Sequence, residues 1–313
     1  MGLRTGFATM LLLASLTAAS RAADPPAFTR VEDVIYGRKY GTALTLDVFT
    51  PRAKANGAGV IWVVSGGFVS SHDFVNAAFF RPILAHGYTV FAVVHGSQPR
   101  YTVPEILQDM HRAVRFIRHH AKDYSVDPNR IGIMGASAGG HLALMQGTAG
   151  ERGWLLAQDP VERESSRVQA VACFCPATDF LNFGKPGERA LGRGRLAGFR
   201  APFDFHELDK KRNVFVPIVD EAEILKIGRA ISPVYHVSKG DAPTLILHGD
   251  KDPLVPIQQS ELMVAKLKEA GVEARLVVKP GALHNWPSML ADVEQFADWF
   301  DRHLAETKAA ERK

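Results

Sequence analysis

Cysteine is almost missing from this chain: among 313 residues there are two, Cys173 and Cys175. That excludes a disulfide-stapled scaffold, and with no Cys/His ligand spacing and no H-E-x-x-H motif the sequence offers no metal site. Blocks of like charge are missing too. The 37 Lys and Arg residues against 33 Asp and Glu leave a net +4 spread along the chain, which speaks against a nucleic-acid partner. Internal repeats and long low-complexity tracts do not occur, which argues against a solenoid. What the composition supplies is apolar material: at 46% hydrophobic residues the chain can bury a full core as one α/β unit.

The first residues read as a signal peptide. Arg4 is the positive start, Phe7 to Ala18 form an apolar run too short to span a bilayer, and Ser20-Arg21-Ala22 places small residues where a signal peptidase inspects. Residues 1–22 are therefore expected to be removed, leaving 23–313 as a single secreted or periplasmic unit without stable membrane insertion. No cysteine near this segment offers a lipid attachment point.

Beyond the leader, Val31 to Tyr36 and Thr42 to Phe49 flank a turn and predict an antiparallel hairpin. The character then changes. Val60 to Val64, Tyr88 to Val94, Arg130 to Met134, Val168 to Phe174 and Thr244 to Leu247 are near-continuous apolar runs, the pattern of parallel strands covered on both faces; Ala274 to Lys279 adds another strand. Between them, Pro104 to Ala121 carries Ile106, Met110, Val114 and Ile117 at helical spacing, and Gln258 to Ala270 and Val293 to His303 behave similarly. This alternation predicts an α/β fold with a mostly parallel central sheet and helices on both faces. Cys173 and Cys175 stand two apart in Val171 to Pro176, which puts both on one strand face as core thiols, badly placed for a disulfide. Residues 181–228 break the alternation. Rich in Gly, Arg and Phe and without a clear strand, they read as a cap-like insertion at the carboxyl edge of the sheet.

The chemistry centres on Gly135-Ala136-Ser137-Ala138-Gly139, a G-x-S-x-G directly after one strand and directly before a helical run. A strand, a sharp turn and a helix form a nucleophile elbow, whose glycines let the chain reverse tightly and expose the serine hydroxyl. A hydroxyl is a weak nucleophile at neutral pH, so it needs a base within hydrogen-bond reach and a group to orient that base. Asp252 follows the strand Thr244 to Leu247, and His284 follows the strand Ala274 to Lys279, in the chain order that such elbows use. Asp250 is the competing carboxylate; closer to the strand end, it is expected to bond its own backbone turn. The His119-His120 pair ends a helix, and His72 and His95 could reach the crevice but occupy the wrong place in chain order. Oxyanion donors are expected from the Ala138 amide and from the amides of Gly67 and Phe68 in the loop Ser65-Gly66-Gly67-Phe68.

With these residues in place, positions from about Ala43 to Leu304 resemble the esterase and lipase branch of the α/β-hydrolase superfamily, near its small carbohydrate-esterase-like and prolyl-oligopeptidase-like members. The most specific pieces are Asp127 to His141 around the elbow, Pro176 to Asp179, Ser232-Pro233-Val234, the Asp252 loop and His284. The resemblance implies nucleophile, acid and base at Ser137, Asp252 and His284, ester hydrolysis through an acyl-enzyme, no cofactor, and a small-molecule or polysaccharide-linked ester as substrate. Two segments depart from the pattern. Ser65 and Phe68 stand where relatives have His and a third Gly, and His95 to Tyr101 replaces a Tyr-Arg-containing segment. A prolyl-oligopeptidase-like peptidase and a non-catalytic binding protein on the same fold are the rival readings. Expressed with its leader in a secreting host, the exported chain is expected to begin at Ala23 by intact mass; a mass retaining Met1 would refute the leader.

Overall fold

The computed structural model describes residues 27–53 and 55–305; the expected leader, residues 1–22, lies outside them. Its main sheet is made of β1 (Phe28–Lys39), β2 (Thr42–Pro51), β3 (Gly59–Val64), β4 (Thr89–Val94), β5 (Ile131–Ala136), β6 (Ala170–Phe174), β9 (Thr244–Gly249) and β10 (Ala274–Lys279). A separate pair, β7 (His206–Asp209) and β8 (Val214–Pro217), lies in the insertion. The main sheet runs in the order β1-β2-β4-β3-β5-β6-β9-β10. β1 and β2 form the expected hairpin, closed by Tyr40 and Gly41 at φ 47° and 76°, the two left-handed residues that a tight hairpin turn requires. β2 is antiparallel to β4, and every later neighbour pairs in parallel.

The apolar runs are buried on both faces, as their composition demands: each residue of β3 is buried. Helices α1 (Arg81–Ala85), α2 (Val103–His119), α3 (Ala138–Ala149), α4 (Glu221–Ala230), α5 (Gln258–Glu269), α6 (Met289–Asp292) and α7 (Glu294–His303) complete the fold. One core layer joins Ile61, Val63 and Ile133 to Met110 and Val114 of α2, Leu142 of α3 and Met263 of α5. The opposite layer joins Val60, Trp62 and Met134 to Ile83 of α1 and Phe296 and Phe300 of α7. Because β3, β5, β6, β9 and β10 run in one direction, their carboxyl ends share one sheet edge. The loops that leave that edge are the ones that carry the candidate residues.

Two expectations are corrected. Residues 181–228 contain strand after all, because β7 and β8 pair antiparallel and α4 begins within the insertion. Each of these strands is four residues long and largely exposed, so neither leaves an alternating apolar signature. Cys173 and Cys175 are both free and buried, but they face different core layers. β6 ends at Phe174, and Cys175 turns away at φ 45°.

An ion pair between partly buried Lys39 and buried Asp109 ties the sheet to α2. Lys39 Nζ lies 2.7 Å from both carboxylate oxygens of Asp109 and 4.0 Å above the ring of Tyr101. Asp109 Oδ2 also accepts from the Gly96 amide at 2.9 Å, which anchors the segment after β4. Burial pushes the Asp109 carboxyl up from its ordinary value, against the pull of the Lys39 ammonium. Removing one partner strands the other charge. Asp109→Ala is therefore expected to cost about 3 kcal/mol in urea unfolding, whereas Lys39→Met combined with Asp109→Leu should cost less than the single change.

Candidate active site

At the end of β5 the backbone takes an unusual shape. Ser137 has φ 53° and ψ −116°, a conformation disfavoured for any residue with a side chain. Its amide donates to the Phe174 carbonyl at 2.8 Å, and its carbonyl accepts from the His141 amide at 2.9 Å, so neighbouring elements hold the turn. The flanking glycines are a steric necessity. A Cβ on Gly135 would lie 2.4 Å from the carbonyl group of Gly139, and one on Gly139 would lie 2.8 Å from the Val63 carbonyl oxygen. The motif is the condition for β5, β3 and α3 to approach this closely.

Loops from three strands meet at the hydroxyl that results. His284 Nε2 is 3.0 Å from Ser137 Oγ, and His284 Nδ1 is 2.6 Å from Asp252 Oδ2. The second carboxylate oxygen, Oδ1, accepts the Leu254 and Val255 amides at 2.8 and 2.9 Å. Burial opposes charge on Asp252, but hydrogen bonds from His248, His284 and the Val255 amide outweigh it and hold the carboxyl well below its ordinary range. An ionised Asp252 keeps a proton on His284 Nδ1 and leaves Nε2 free to accept from the serine.

Two further residues here escaped the sequence reading. His248, fully buried at the end of β9, places Nε2 3.2 Å from Asp252 Oδ2 and 2.9 Å from the Val255 carbonyl, while its Nδ1 is 2.6 Å from Ser260 Oγ. Two acceptors around Nε2 fit a proton on that nitrogen, with Nδ1 accepting from the Ser260 hydroxyl. The available signal was an imidazole closing an otherwise apolar strand, four residues before Asp252. Cys175 donates its thiol to the His284 carbonyl at 3.5 Å; burial first, and then the Asp252 charge, push that thiol up to about 12. Asp250 is directed elsewhere: its Oδ1 accepts the Gly281 amide at 2.7 Å, bracing the loop that carries His284. Cys175, Asp252 and His284 also place three potential metal-ligand atoms within 4.8 Å of one another, but each is committed to the bonds just described.

Gly67, Phe68 and Ala138 border the same cavity as Ser137. Gly67 and Phe68 sit at φ 56° and 66° in the loop after β3, and Ala138 opens α3. Among the described residues none of these three amides donates to another protein group. They border one narrow cavity of about 30 Å³ together with Ser137, Ala177, Phe180, Leu254 and Val255. Residues of the 181–228 segment narrow it. Leu196 and Phe199 complete the lining, and the Phe199 ring lies 2.4 Å from where a Cβ of Gly67 would stand. Arg195 fastens this segment to the Asp252 loop by donating to the Pro253 carbonyl at 2.8 Å.

Neither His72 nor His95 joins the site. His72 bonds Thr45 and Asp33 beside the β1–β2 hairpin, and His95 is buried against the Gly96 carbonyl, where burial pushes its imidazole down to about 4. Of the arginines in the insertion, Arg189 pairs with Glu221, while Arg193 and Arg200 line a wider groove with Phe203 and Phe205.

Comparison with known proteins places this chain in a family. The BD-FAE family model matches residues 46–267. Esterase LipQ of Mycobacterium tuberculosis is 31% identical over 190 residues, 59% of this chain and 39% of that protein. The probable carboxylic ester hydrolase LipM of the same organism is 29% identical over 250 residues, 76% of this chain and 51% of LipM. The match thus spans about half the length of these relatives or less. Among solved structures, a truncated carbohydrate esterase from gut microbiota superposes with a TM-score of 0.70 at 22% identity, covering 90% of this chain and 98% of that one. At that identity the likeness speaks for the fold alone.

Proposed function

Because the chain belongs to the BD-FAE family, in the esterase branch of the α/β-hydrolases, we propose that it cleaves carboxylic esters as a serine hydrolase, with Ser137, His284 and Asp252 as its triad. The observation that carries this reading is the continuous pair of hydrogen bonds from Asp252 through His284 to Ser137. Ser137 Oγ attacks the ester carbonyl carbon while His284 Nε2 takes its proton. The carbonyl π electrons move onto oxygen, where the amides of Ala138, Gly67 and Phe68 receive the charge. His284 returns the proton to the departing alkoxide, and the acyl group stays on Ser137. Water, deprotonated by the same nitrogen, then attacks the acyl carbon, and His284 gives that proton to Ser137 Oγ as the Oγ–acyl bond breaks and the acid leaves. Asp252 remains ionised throughout and holds the imidazolium.

Cavity size supports a short acyl group. A space of about 30 Å³ beside Ser137 holds about two water-sized groups, the scale of an acetyl. For the alcohol half we infer a sugar, on the strength of the likeness to a carbohydrate esterase and of the expected export of the chain. No helix among the described residues is long and apolar enough to cross a membrane.

Purified protein is expected to hydrolyse p-nitrophenyl acetate and to leave peptide p-nitroanilides intact. With folding intact, Ser137→Ala should lower kcat about a millionfold, and Asp252→Asn should lower it roughly ten-thousandfold. Cleavage confined to the anilides would favour the peptidase, and inert, correctly folded wild type would favour a binding protein. Phe199→Ala is expected to widen the acyl space, moving the ratio of butyrate to acetate kcat/KM upward by about tenfold. An unchanged ratio would remove the insertion from acyl selection.

A further inference from the structure

Gly67 and Phe68 are the two central residues of a tight turn closed by Gly66 and Val69, whose amides and carbonyls bond each other at 3.0 and 2.9 Å, and both central residues take the left-handed backbone angles that such a turn requires. Phe68 adopts one in spite of its side chain. The Gly66–Val69 pair closes the turn, and the segment after β4 holds the carbonyls of its two central residues. The Gln98 side chain donates from Nε2 to the Gly67 carbonyl at 3.1 Å, and the Gln98 main-chain amide donates to the Phe68 carbonyl, also at 3.1 Å.

Peptide geometry gives the first of these bonds its consequence. In a trans peptide the carbonyl and the following amide point in opposite directions. Fastening the Gly67 oxygen toward Gln98 therefore turns the Phe68 amide the other way, and the preceding peptide is set likewise, because the Gly66 carbonyl accepts the Val69 amide at 2.9 Å. Among the described residues the Phe68 amide donates no hydrogen bond of its own, so within the turn the Gln98 side chain is the one group that bonds the central peptide's carbonyl. Gln98 is itself held in place. Ser97 Oγ donates to the Gln98 carbonyl at 2.9 Å and accepts from the Ser70 amide at 3.1 Å, and the Gly96 amide is anchored on Asp109.

We propose that Gln98 is the positioning residue of the oxyanion site, its side-chain amide aiming the Phe68 N–H at the substrate oxygen. The assignment rests on the hydrolase reading above. It gives a role to the segment His95 to Tyr101, one of the two places where the sequence departs from the pattern that it resembles. Gln98 touches no reacting atom and acts only through the Gly67–Phe68 peptide. Its loss should raise the energy of the charged intermediate and leave substrate binding almost unaffected.

The test compares wild type with Gln98→Met, which keeps volume and loses the donor, and with Gln98→Glu as a second variant should methionine disturb packing. Both retain the main-chain bond to Phe68. On p-nitrophenyl acetate, kcat is expected to fall tenfold or more with KM within about twofold. The Ki of a small alkyl trifluoromethyl ketone, whose adduct carries the oxyanion, should rise by the same factor while Tm stays unchanged. A kcat within twofold of wild type, a change confined to KM, or an unaltered ketone Ki beside a lowered kcat would each overturn the assignment. Wild type that turns over ester beside an unaffected variant sinks Gln98 alone. Wild type that neither turns over ester nor reacts with a fluorophosphonate sinks the hydrolase reading, and this inference with it.

Discussion

The architecture of the site depends on how closely β5, β3 and α3 approach one another at Ser137. Gly135 and Gly139 have no room for a side chain, so the strand can pass into the helix in a single strained residue and leave its hydroxyl clear of the sheet. Strain of this kind persists only where neighbours over-determine it. Here the Phe174 carbonyl and the His141 amide take both main-chain groups of Ser137, so the turn is fixed by the sheet and the helix together.

Around that point the charges are arranged by hydrogen bonds from main chain and imidazole. Asp252 is reached by two amides and two histidines, and this crowding of donors keeps a buried carboxylate ionised. Ser260 continues the network through His248, so the orientation of Asp252 is tied to α5 as well as to its own loop. On the opposite side a second network runs from the Lys39–Asp109 pair through Gly96 and Gln98 to the carbonyls of Gly67 and Phe68. One network orients the proposed base, and the other orients the proposed oxyanion donors. They meet at Ser137.

The insertion belongs to this arrangement. Leu196 and Phe199 narrow the cavity, and Arg195 bonds the Pro253 carbonyl, so the segment that narrows the cavity is also in contact with the loop of Asp252. The edge-on contact of Tyr40 with Phe215 at 6.4 Å ties β8 back to the first hairpin. The insertion is thereby braced against the fold at two distant places.

Much was legible in the linear chain wherever short-range pattern carries the physics. Two-sided burial writes continuous apolar runs, so the parallel strands and their order of appearance could be read, and an elbow writes its glycines because no larger residue fits. Ser137, Asp252 and His284 could be named for the same reason, since each follows a recognisable strand at one sheet edge. His248 and Gln98 could not, because nothing local marks an imidazole or an amide whose partner is supplied by another loop. Nor could the separation of Cys173 from Cys175, which turns on one left-handed residue at a strand end. The hairpin in the insertion was hidden because short, exposed strands need no apolar alternation. Sequence by itself determined the sheet, the elbow and the residues available for chemistry; tertiary structure alone decided which carbonyls and amides face them and how wide the cavity is, because those depend on contacts between segments far apart in the chain.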